Sequence, residues 1–162
     1  MTRQVGVNSD GAFDHRNGSG GWGFIIRDDQ GAVVTAGAGK EQFLQSAFHA
    51  ELLGCLAGLK AAAQLGIRRV VLETNASLVK AALEDDAYRL SAMSGITTEF
   101  RLLLMTEFAY SKVCVRPRSC NKVADAIVAY VCKCSSDMSV TWDDVPHFVE
   151  DLVTSDSAES DE

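Results

Sequence analysis

The order of secondary-structure patterns along this chain restricts its fold more than any other feature of the sequence. Residues 4–10 have a period of two, which is typical of a β-strand. One face would contain Gln4, Gly6, Asn8 and Asp10, and the other Val5, Val7 and Ser9. A glycine-rich turn follows at residues 17–21, and residues 22–27 and 32–38 then form two more strand-like segments around a tight turn. Three strands joined by short turns predict an antiparallel meander at the start of the chain.

Helical and strand-like patterns alternate after this meander. Ser46 is a suitable N-cap for a long Ala- and Leu-rich helix that runs to Leu65, before Gly66. A Val-Val-Leu run follows at residues 69–73, and its apolar character predicts a strand buried on both faces. The other expected elements are helices at residues 75–85, 96–108 and 121–133 and a strand at residues 112–116. The expected fold is therefore α/β, with a five-stranded mixed sheet, three leading antiparallel strands and helices on both faces.

Charge is distributed unevenly, which divides the chain into a neutral body and an acidic end. The net charge is −7, yet residues 143–162 contain eight acidic side chains and neither Lys nor Arg. Residues 1–142 therefore carry a charge of +1, and we expect them to form a single domain. Apolar side chains at residues 145–153 have helical spacing, which predicts a short amphipathic helix followed by a disordered tail.

Cysteine usage and the length of the apolar runs bear on the compartment. The five cysteines are scattered and form no C-x-x-C pairs, so we expect free thiols in a reducing environment. The apolar runs end well before the ~20 residues that a membrane span requires, and the N-terminus has no leader pattern. We therefore expect an intracellular protein of the nucleus or cytoplasm. We also expect it to be a monomer.

Three acidic side chains lie at the ends of expected elements, where separate segments of the chain can meet. They are Asp10 at the end of the first strand, Glu51 in the first turn of the long helix and Asp125 in the first turn of the last helix. Asn75, which follows the strand at residues 69–73, is a fourth candidate. Two-metal hydrolysis of phosphodiesters requires carboxylates that hold two divalent cations ~4 Å apart. Position alone does not distinguish such a site from solvated or capping acids.

Five short segments in a fixed order are more specific. They are residues 8–13 (NSDGAF), 20–28 (GGWGFIIRD), 50–53 (AELL), 72–76 (LETNA) and 121–126 (NKVADA). Together they resemble the ribonuclease H family, in particular the plant ribonuclease H-like domains related to the ribonuclease H of non-LTR retrotransposons. The resemblance covers residues 5–133, and residues 142–152 are also similar to the end of many plant members. It implies a ribonuclease H-like fold.

The resemblance also implies a chemistry and a set of site residues. It implies cleavage of the RNA strand of an RNA–DNA hybrid with two Mg²⁺ ions, with Mn²⁺ as a possible substitute. Asp10 would bridge the two ions, and Glu51 and Asp125 would each complete one coordination shell. Glu51 would also lie near the RNA 2′-hydroxyl.

Position 75 departs from the family pattern. The usual Glu-Ser-Asp-Ser is replaced by Glu73-Thr74-Asn75-Ala76, so a neutral amide stands where the family has a metal-ligating carboxylate. We expect weak metal occupancy and weak or lost hydrolysis. Three interpretations of Asn75 stay open: a degenerate site kept for binding, a substitution introduced into an active protein, or slow turnover with the remaining three carboxylates.

Five residues are candidates for contact with nucleic acid. Asn17 and the glycines beside it resemble a turn that contacts the nucleic-acid backbone in the family, although a simple hairpin turn fits equally well. Arg116, Arg118 and Lys122 form a dense basic cluster that would contact phosphates or would be a solvated rim. Gly11, next to the first carboxylate, completes this set.

A second function is compatible with the same sequence. In this alternative the domain keeps only the fold and acts as a protein-interaction or regulatory module. Its protein partner would bind the acidic segment at residues 143–162 or the helix expected at residues 145–153. The near-neutral body and acidic end favour this alternative, because such an end repels phosphates or competes for the basic cluster.

Overall fold

The computed structural model describes residues 3–84, 94–117, 119, 121–134 and 137–150, which form a six-stranded mixed sheet with helices on both faces. The strands are β1 (Gln4–Asp14), β2 (Ser19–Asp28), β3 (Val33–Glu41), β4 (Arg69–Thr74), β5 (Tyr110–Val115) and β6 (Ser139–Trp142). The helices are α1 (Ala47–Gln64), α2 (Ser77–Glu84), α3 (Ser94–Glu107) and α4 (Lys122–Cys132). No helix within these ranges is long and apolar enough to cross a membrane.

The strands lie in the order β5-β4-β1-β2-β3-β6. β1, β2 and β3 form the antiparallel meander, and β4 and β5 are added parallel to β1. These pairings confirm the expected α/β class, the three leading antiparallel strands and the mixed sheet. They also place β1 in the interior of the sheet, between β2 and β4.

The expected number of strands was wrong, because β6 adds a sixth strand beside β3. The two strands pair antiparallel, and the Thr35 hydroxyl donates a 2.7 Å hydrogen bond to the Trp142 carbonyl. The Trp142 ring lies 6.4 Å from the ring of Tyr130 on α4. A strand of four residues is too short to display a clear period of two, so its pairing with β3 determines its structure more than its own pattern does.

Each face of the sheet has its own apolar core. On the side of α1, α2 and α3, the fully buried side chains include Val7, Leu52, Leu59, Leu72 and Phe100. On the side of α4, they include Ile25, Val123, Ile127, Val131 and Val149. The side chains of β2 alternate between these two cores, since Phe24 and Ile26 face the first core and Ile25 faces the second.

β4 is not buried on both faces, which corrects the expectation from its apolar run. Alternate residues, namely Val70, Leu72 and Thr74, are buried, and the residues between them are partly exposed. The buried residues face α1, whereas α4 packs chiefly against β1, β2 and β3. The face of β4 on the α4 side is therefore only partly covered.

The chain just beyond residue 142 packs against α4. A 3₁₀ turn at His147–Val149 buries Val149 completely and brings the Phe148 ring within 5.1 Å of the Tyr130 ring. The helix expected at residues 145–153 is described as far as residue 150. Within that part residues 145 and 146 are not helical and the 3₁₀ turn begins at His147, and residues 151–162 lie outside the described residues. The domain boundary at residue 142 and the disordered tail stay predictions.

A buried thiol connects α1 to β1. Cys55 on α1 is fully buried, and its sulfur lies 3.0 Å from the Ser9 hydroxyl of β1. Burial raises the pKa of the Cys55 thiol from 9.0 to about 12, and the nearby negative charges of Glu51 and Asp10 contribute to the increase. Cys55, Cys114, Cys132 and Cys134 are all free thiols, as expected.

We predict that iodoacetamide at about pH 8 modifies Cys134, which is partly exposed, and leaves Cys55 unmodified in the folded protein. Because the pKa of Cys55 is higher in the folded state, its contribution to the free energy of unfolding is complete below about pH 9 and is lost toward pH 12. Mass spectrometry after timed labelling measures the modification of the two thiols. Chemical denaturation of the unmodified protein and of Cys55→Ala at increasing pH measures the contribution of Cys55 to the free energy of unfolding. Labelling of both thiols at equal rates would contradict the prediction.

Candidate active site

Asp10 lies in β1 at the point where the first turn of α1 comes closest to the strand. Its exposure is only 6%. A Cβ added to Gly11 would lie 2.5 Å from the carbonyl carbon of Ala50 and 2.6 Å from the backbone nitrogen of Glu51. A Cβ added to Gly54, one turn further along α1, would lie 2.8 Å from the Asp10 carbonyl oxygen. These contacts admit only glycine, and they place the backbone of Glu51 beside that of Asp10.

The cap of α1 fixes where this helix begins. The Ser46 hydroxyl accepts a 3.0 Å hydrogen bond from the backbone N–H of His49. The His49 ring accepts a 3.1 Å hydrogen bond from the backbone N–H of Gln45, and burial lowers the pKa of His49. His49 therefore has a capping role, and the cap sets the position of Glu51 one turn into the helix.

A buried asparagine ties the start of α4 to β1. Asn121 is 2% exposed, and its side-chain amide donates a 2.8 Å hydrogen bond to the carbonyl of Ser9, the residue before Asp10. Gly23 pairs with Asp10 across the sheet, and a Cβ added to Gly23 would lie 3.1 Å from side chains of α4. Asp125 follows in the first turn of α4 and is exposed. Asp10 and Asp125 are thus brought to the same face of the sheet.

Asn75 follows β4 at the same end of the sheet. Thr74, the last residue of β4, pairs with Ser9 in the parallel β1–β4 ladder. Asn75 and Asp10 therefore occupy neighbouring positions, one residue beyond this pair. The Thr74 carbonyl accepts a 2.8 Å hydrogen bond from the backbone N–H of Arg116, which holds the end of β4 in place, and Asn75 itself is partly exposed.

The four candidate residues, Asp10, Glu51, Asn75 and Asp125, therefore surround one end of the β1–β4 ladder. Their oxygen atoms are ligands that Mg²⁺ and Mn²⁺ prefer, so the chemistry of the donors fits a hard divalent cation. Within the described ranges, no three His, Cys, Asp or Glu side chains are grouped closely enough to hold a metal ion. The assignment of the three carboxylates as metal ligands stays a prediction.

The basic cluster is partly neutralised at the edge of this region. Arg116 is exposed, and its Nε lies 3.9 Å from the Glu73 carboxylate, which also accepts a 3.3 Å hydrogen bond from the Asn8 side chain. Lys122 is the first residue of α4 and is partly buried, and Arg118 lies outside the described residues. The region is therefore less positive than the three basic residues imply.

Asn17 lies in the exposed turn between β1 and β2. Its side-chain oxygen accepts a 3.0 Å hydrogen bond from the backbone N–H of Ser19 and a 2.7 Å hydrogen bond from the Ser19 hydroxyl. The Leu44 N–H donates a 2.8 Å hydrogen bond to the Gly18 carbonyl, so the turn is held against the loop before α1. The side-chain oxygen of Asn17 thus stabilises the turn, and its contact with nucleic acid stays a prediction.

Phe43 lies beside this turn and was not among the candidate residues. Its side chain is 91% exposed, and its φ of 59° is in the left-handed region that bulky residues rarely adopt. A Cβ added to Gly18 would lie 4.0 Å from the Phe43 Cα. An exposed aromatic side chain on a strained backbone suggests a binding role. The sequence contains no signal for it, because a single Phe in a loop forms no pattern.

Comparison with known proteins identifies the family. Residues 8–131 match the model of the reverse transcriptase-like family, and the chain belongs to this family. Its fold is similar to that of RNase H1 from the archaeon Halobacterium salinarum, at 25% identity and a TM-score of 0.71, over 79% of this chain and 96% of that chain. The N-terminal RNase H domain of a Mycobacterium tuberculosis protein is similar at 20% identity and a TM-score of 0.70, over 81% and 94% of the two chains.

A structure with a bound nucleic acid has the same fold. LC11-RNase H1, solved in complex with an RNA/DNA hybrid, is 17% identical with a TM-score of 0.71, over 79% of this chain and 96% of that chain. Among curated proteins, no significant match to this chain was found. The predicted ribonuclease H-like fold is thus confirmed, and the closer relation to plant members stays a prediction.

We predict that Gly11→Ala lowers the free energy of unfolding by about 1–3 kcal/mol, because its Cβ overlaps the backbone of Ala50. Gly95→Ala in α3 is the matched control. No described atom lies within 4 Å of a Cβ there, and alanine stabilises a helix relative to glycine by up to about 1 kcal/mol. Chemical denaturation compares the two variants, and equal stabilities would contradict the close contact between β1 and α1.

Proposed function

We propose that this protein recognises RNA–DNA hybrids and descends from a ribonuclease H that cleaves the RNA strand, with its own cleavage impaired at Asn75. The observation that carries this proposal is the packing of Asp10 between the first turn of α1 and the start of α4. This packing brings acidic side chains from separate elements toward one end of the β1–β4 ladder. The ribonuclease H fold, and the RNA/DNA hybrid bound by LC11-RNase H1, support the same class of substrate.

In the ancestral reaction Asp10, Glu51 and Asp125 would hold the divalent cations. Such ions, when bound, supply an activated water and stabilise the leaving oxygen of a phosphodiester. The contribution of this chain is to position the carboxylates. The contact at Gly11 fixes Asp10 against α1, and the hydrogen bond of Asn121 fixes the start of α4.

Asn75 weakens the binding of divalent cations by this set of residues. Its amide is neutral, so three carboxylates rather than four offset the charge of two divalent cations. Loss of even an outer partner of a metal ligand reduces metal affinity by about 10–100-fold, and we expect the loss of a direct ligand to cost at least as much. Binding of a hybrid through the protein surface does not depend on this residue, so recognition is retained when hydrolysis is weak.

Asn75→Asp should increase Mg²⁺-dependent cleavage of a labelled RNA–DNA hybrid by about 100-fold or more, because it returns the missing carboxylate. Gel analysis of the RNA strand in Mg²⁺ and in Mn²⁺ measures the change. The matched control is Asn75→Asp combined with Asp10→Asn. This double variant has the same net charge as the unmodified protein and should be inactive.

Two outcomes of this experiment would contradict the proposal. If a folded Asn75→Asp variant cleaves no hybrid in either metal, the assignment of the active site is wrong. If the unmodified protein cleaves as fast as Asn75→Asp, the proposed impairment is wrong.

We place the hybrid on the side of the site that contains the turn between β1 and β2 and the start of α4. Gly11, Asn17, Arg116 and Lys122 are the proposed contacts in the described part of the chain, and Arg118 keeps its predicted role. Phe43 extends this surface, because the Leu44–Gly18 hydrogen bond holds its loop against the turn that contains Asn17.

Phe43→Gly should weaken hybrid binding about five-fold or more, since stacking of an aromatic ring on a base is worth about 1–3 kcal/mol. The same variant should raise the free energy of unfolding by about 1 kcal/mol, because glycine adopts a φ of 59° without strain. Fluorescence anisotropy and chemical denaturation measure the two effects. Met105→Ala removes another exposed apolar side chain, on α3, and should leave binding unchanged. A loss of affinity of the same size in both variants would contradict the role of Phe43.

The acidic end of the chain favours a second candidate function, that of a protein-interaction module. Five acidic residues and no basic ones follow Glu150, so a chain that ends at Glu150 loses these charges and keeps the buried Val149. Hybrid binding that increases on this truncation favours the proposed function with an inhibitory acidic end. If neither the full chain nor the shortened chain binds the hybrid, the interaction module is favoured instead.

A further inference from the structure

Part of the sheet face that α4 covers is left open. The described residues of α4 pack chiefly against β1, β2 and β3, and alternate residues of β4 and β5 on the same face stay partly or largely exposed. The side chains on this open face are Arg69, Val71 and Glu73 of β4, Tyr110, Lys112 and Cys114 of β5, and Arg116, which continues the row beyond β5. We call this surface the open face.

The open face is basic and contains an aromatic ring. Arg69, Lys112 and Arg116 are positively charged, and Glu73 is acidic. The Arg69 guanidinium carbon lies 4.6 Å from the centre of the Tyr110 ring, a cation–π contact that holds the two side chains together. Residues that alternate along a strand are about 6.6 Å apart, so the side chains of β5 form an extended row with regular spacing.

The open face is continuous with the candidate active site. The backbone of Arg116 is hydrogen-bonded to Thr74, the residue before Asn75, and the Glu73 carboxylate is hydrogen-bonded to Asn8 of β1. Asn8 in turn lies two residues before Asp10 on the same face of β1. A strand that leaves the site in this direction reaches the open face without crossing α4.

We propose that the open face binds a single-stranded segment of nucleic acid that continues from the RNA–DNA hybrid. This inference rests on the proposed hybrid-binding function. Phosphates complement the charges of Arg69 and Lys112, whereas Arg116 is partly neutralised by Glu73. The Arg69–Tyr110 pair provides a surface on which an unpaired base can stack. The bases of a duplex are already stacked on one another, so this pair selects a single strand. The combination of a basic row with an aromatic ring is typical of surfaces that bind single strands.

The experiment compares two probes by fluorescence anisotropy with the full chain, between about 50 and 200 mM salt. One probe is a blunt RNA–DNA hybrid, and the other is the same hybrid with a single-stranded RNA extension at one end or the other. The extension should tighten binding and make the salt dependence steeper. Lys112→Gln and Arg69→Gln should each reduce the slope of log affinity against log salt by about 0.7 for the extended probe and leave the blunt hybrid unaffected.

Lys60→Gln is the matched control for the loss of one positive charge. Lys60 is exposed on α1, on the other side of the sheet, where its amine lies 2.8 Å from the Glu99 carboxylate. The Lys60→Gln variant should leave the salt dependence of binding unchanged for both probes. Equal binding of the blunt and extended probes by the folded protein would overturn the inference, and so would equal effects of Lys112→Gln and Lys60→Gln.

Failure of the proposed function has a different signature. In that case the blunt hybrid is not bound at all, and the extended probe reports on the open face alone.

A chain that ends at Glu150 tests whether the acidic residues beyond it compete for the open face. Dependence on Lys112 in the full chain or in the shortened chain supports the inference, and its absence from both overturns it.

Discussion

The contact between Gly11 and the first turn of α1 is the constraint on which the candidate site depends. A side chain at position 11 would overlap the backbone of Ala50 and Glu51, so α1 would have to move away from β1. Gly54 and Cys55 make further contacts with β1 from the same helix, and they would move with it. Since catalytic groups tolerate displacements of only about 1 Å, close backbone packing is a condition for placing Glu51 beside Asp10.

The two faces of the sheet are covered unequally. Three helices lie on one side, where the buried residues of β4 face α1. On the other side α4 covers chiefly β1, β2 and β3, and the hydrogen bond between Asn121 and Ser9 fixes its start. The same placement of α4 that brings Asp125 toward Asp10 therefore leaves the open face uncovered beside it. The site and the proposed single-strand surface both follow from the position of one helix.

Local signals in the sequence were sufficient to predict most of the helices and strands. Ser46 does cap α1, and the glycine-rich turns do separate the strands of the meander. The first strand was expected to end at Asp10, yet β1 continues to Asp14 because Phe13 pairs with Gly20 of β2. Pairing across the β1–β2 hairpin overrides the weak strand preference of glycine in this region.

Features that depend on distant contacts were not predictable in the same way. β6 exists because β3 offers it a pairing edge, and the partial exposure of β4 depends on where α4 lies. Only the packed structure shows that Gly11 allows α1 to lie close to β1. The same is true of the left-handed backbone of Phe43. By contrast, the resemblance to the ribonuclease H family already predicts from the sequence that Asn75 replaces a carboxylate. The effect of Asn75 on the binding of divalent cations cannot be read from the sequence and has to be measured.

The central proposal is that Asp10 helps to hold divalent cations at a site that Asn75 weakens. Titration of Mn²⁺ by isothermal calorimetry into the unmodified protein, Asn75→Asp and Asp10→Asn tests this claim without requiring substrate or turnover. The account predicts the tightest binding in Asn75→Asp, weaker binding in the unmodified protein and the weakest in Asp10→Asn, with the fold of each variant verified by circular dichroism. The same Mn²⁺ affinity in all three proteins would contradict it.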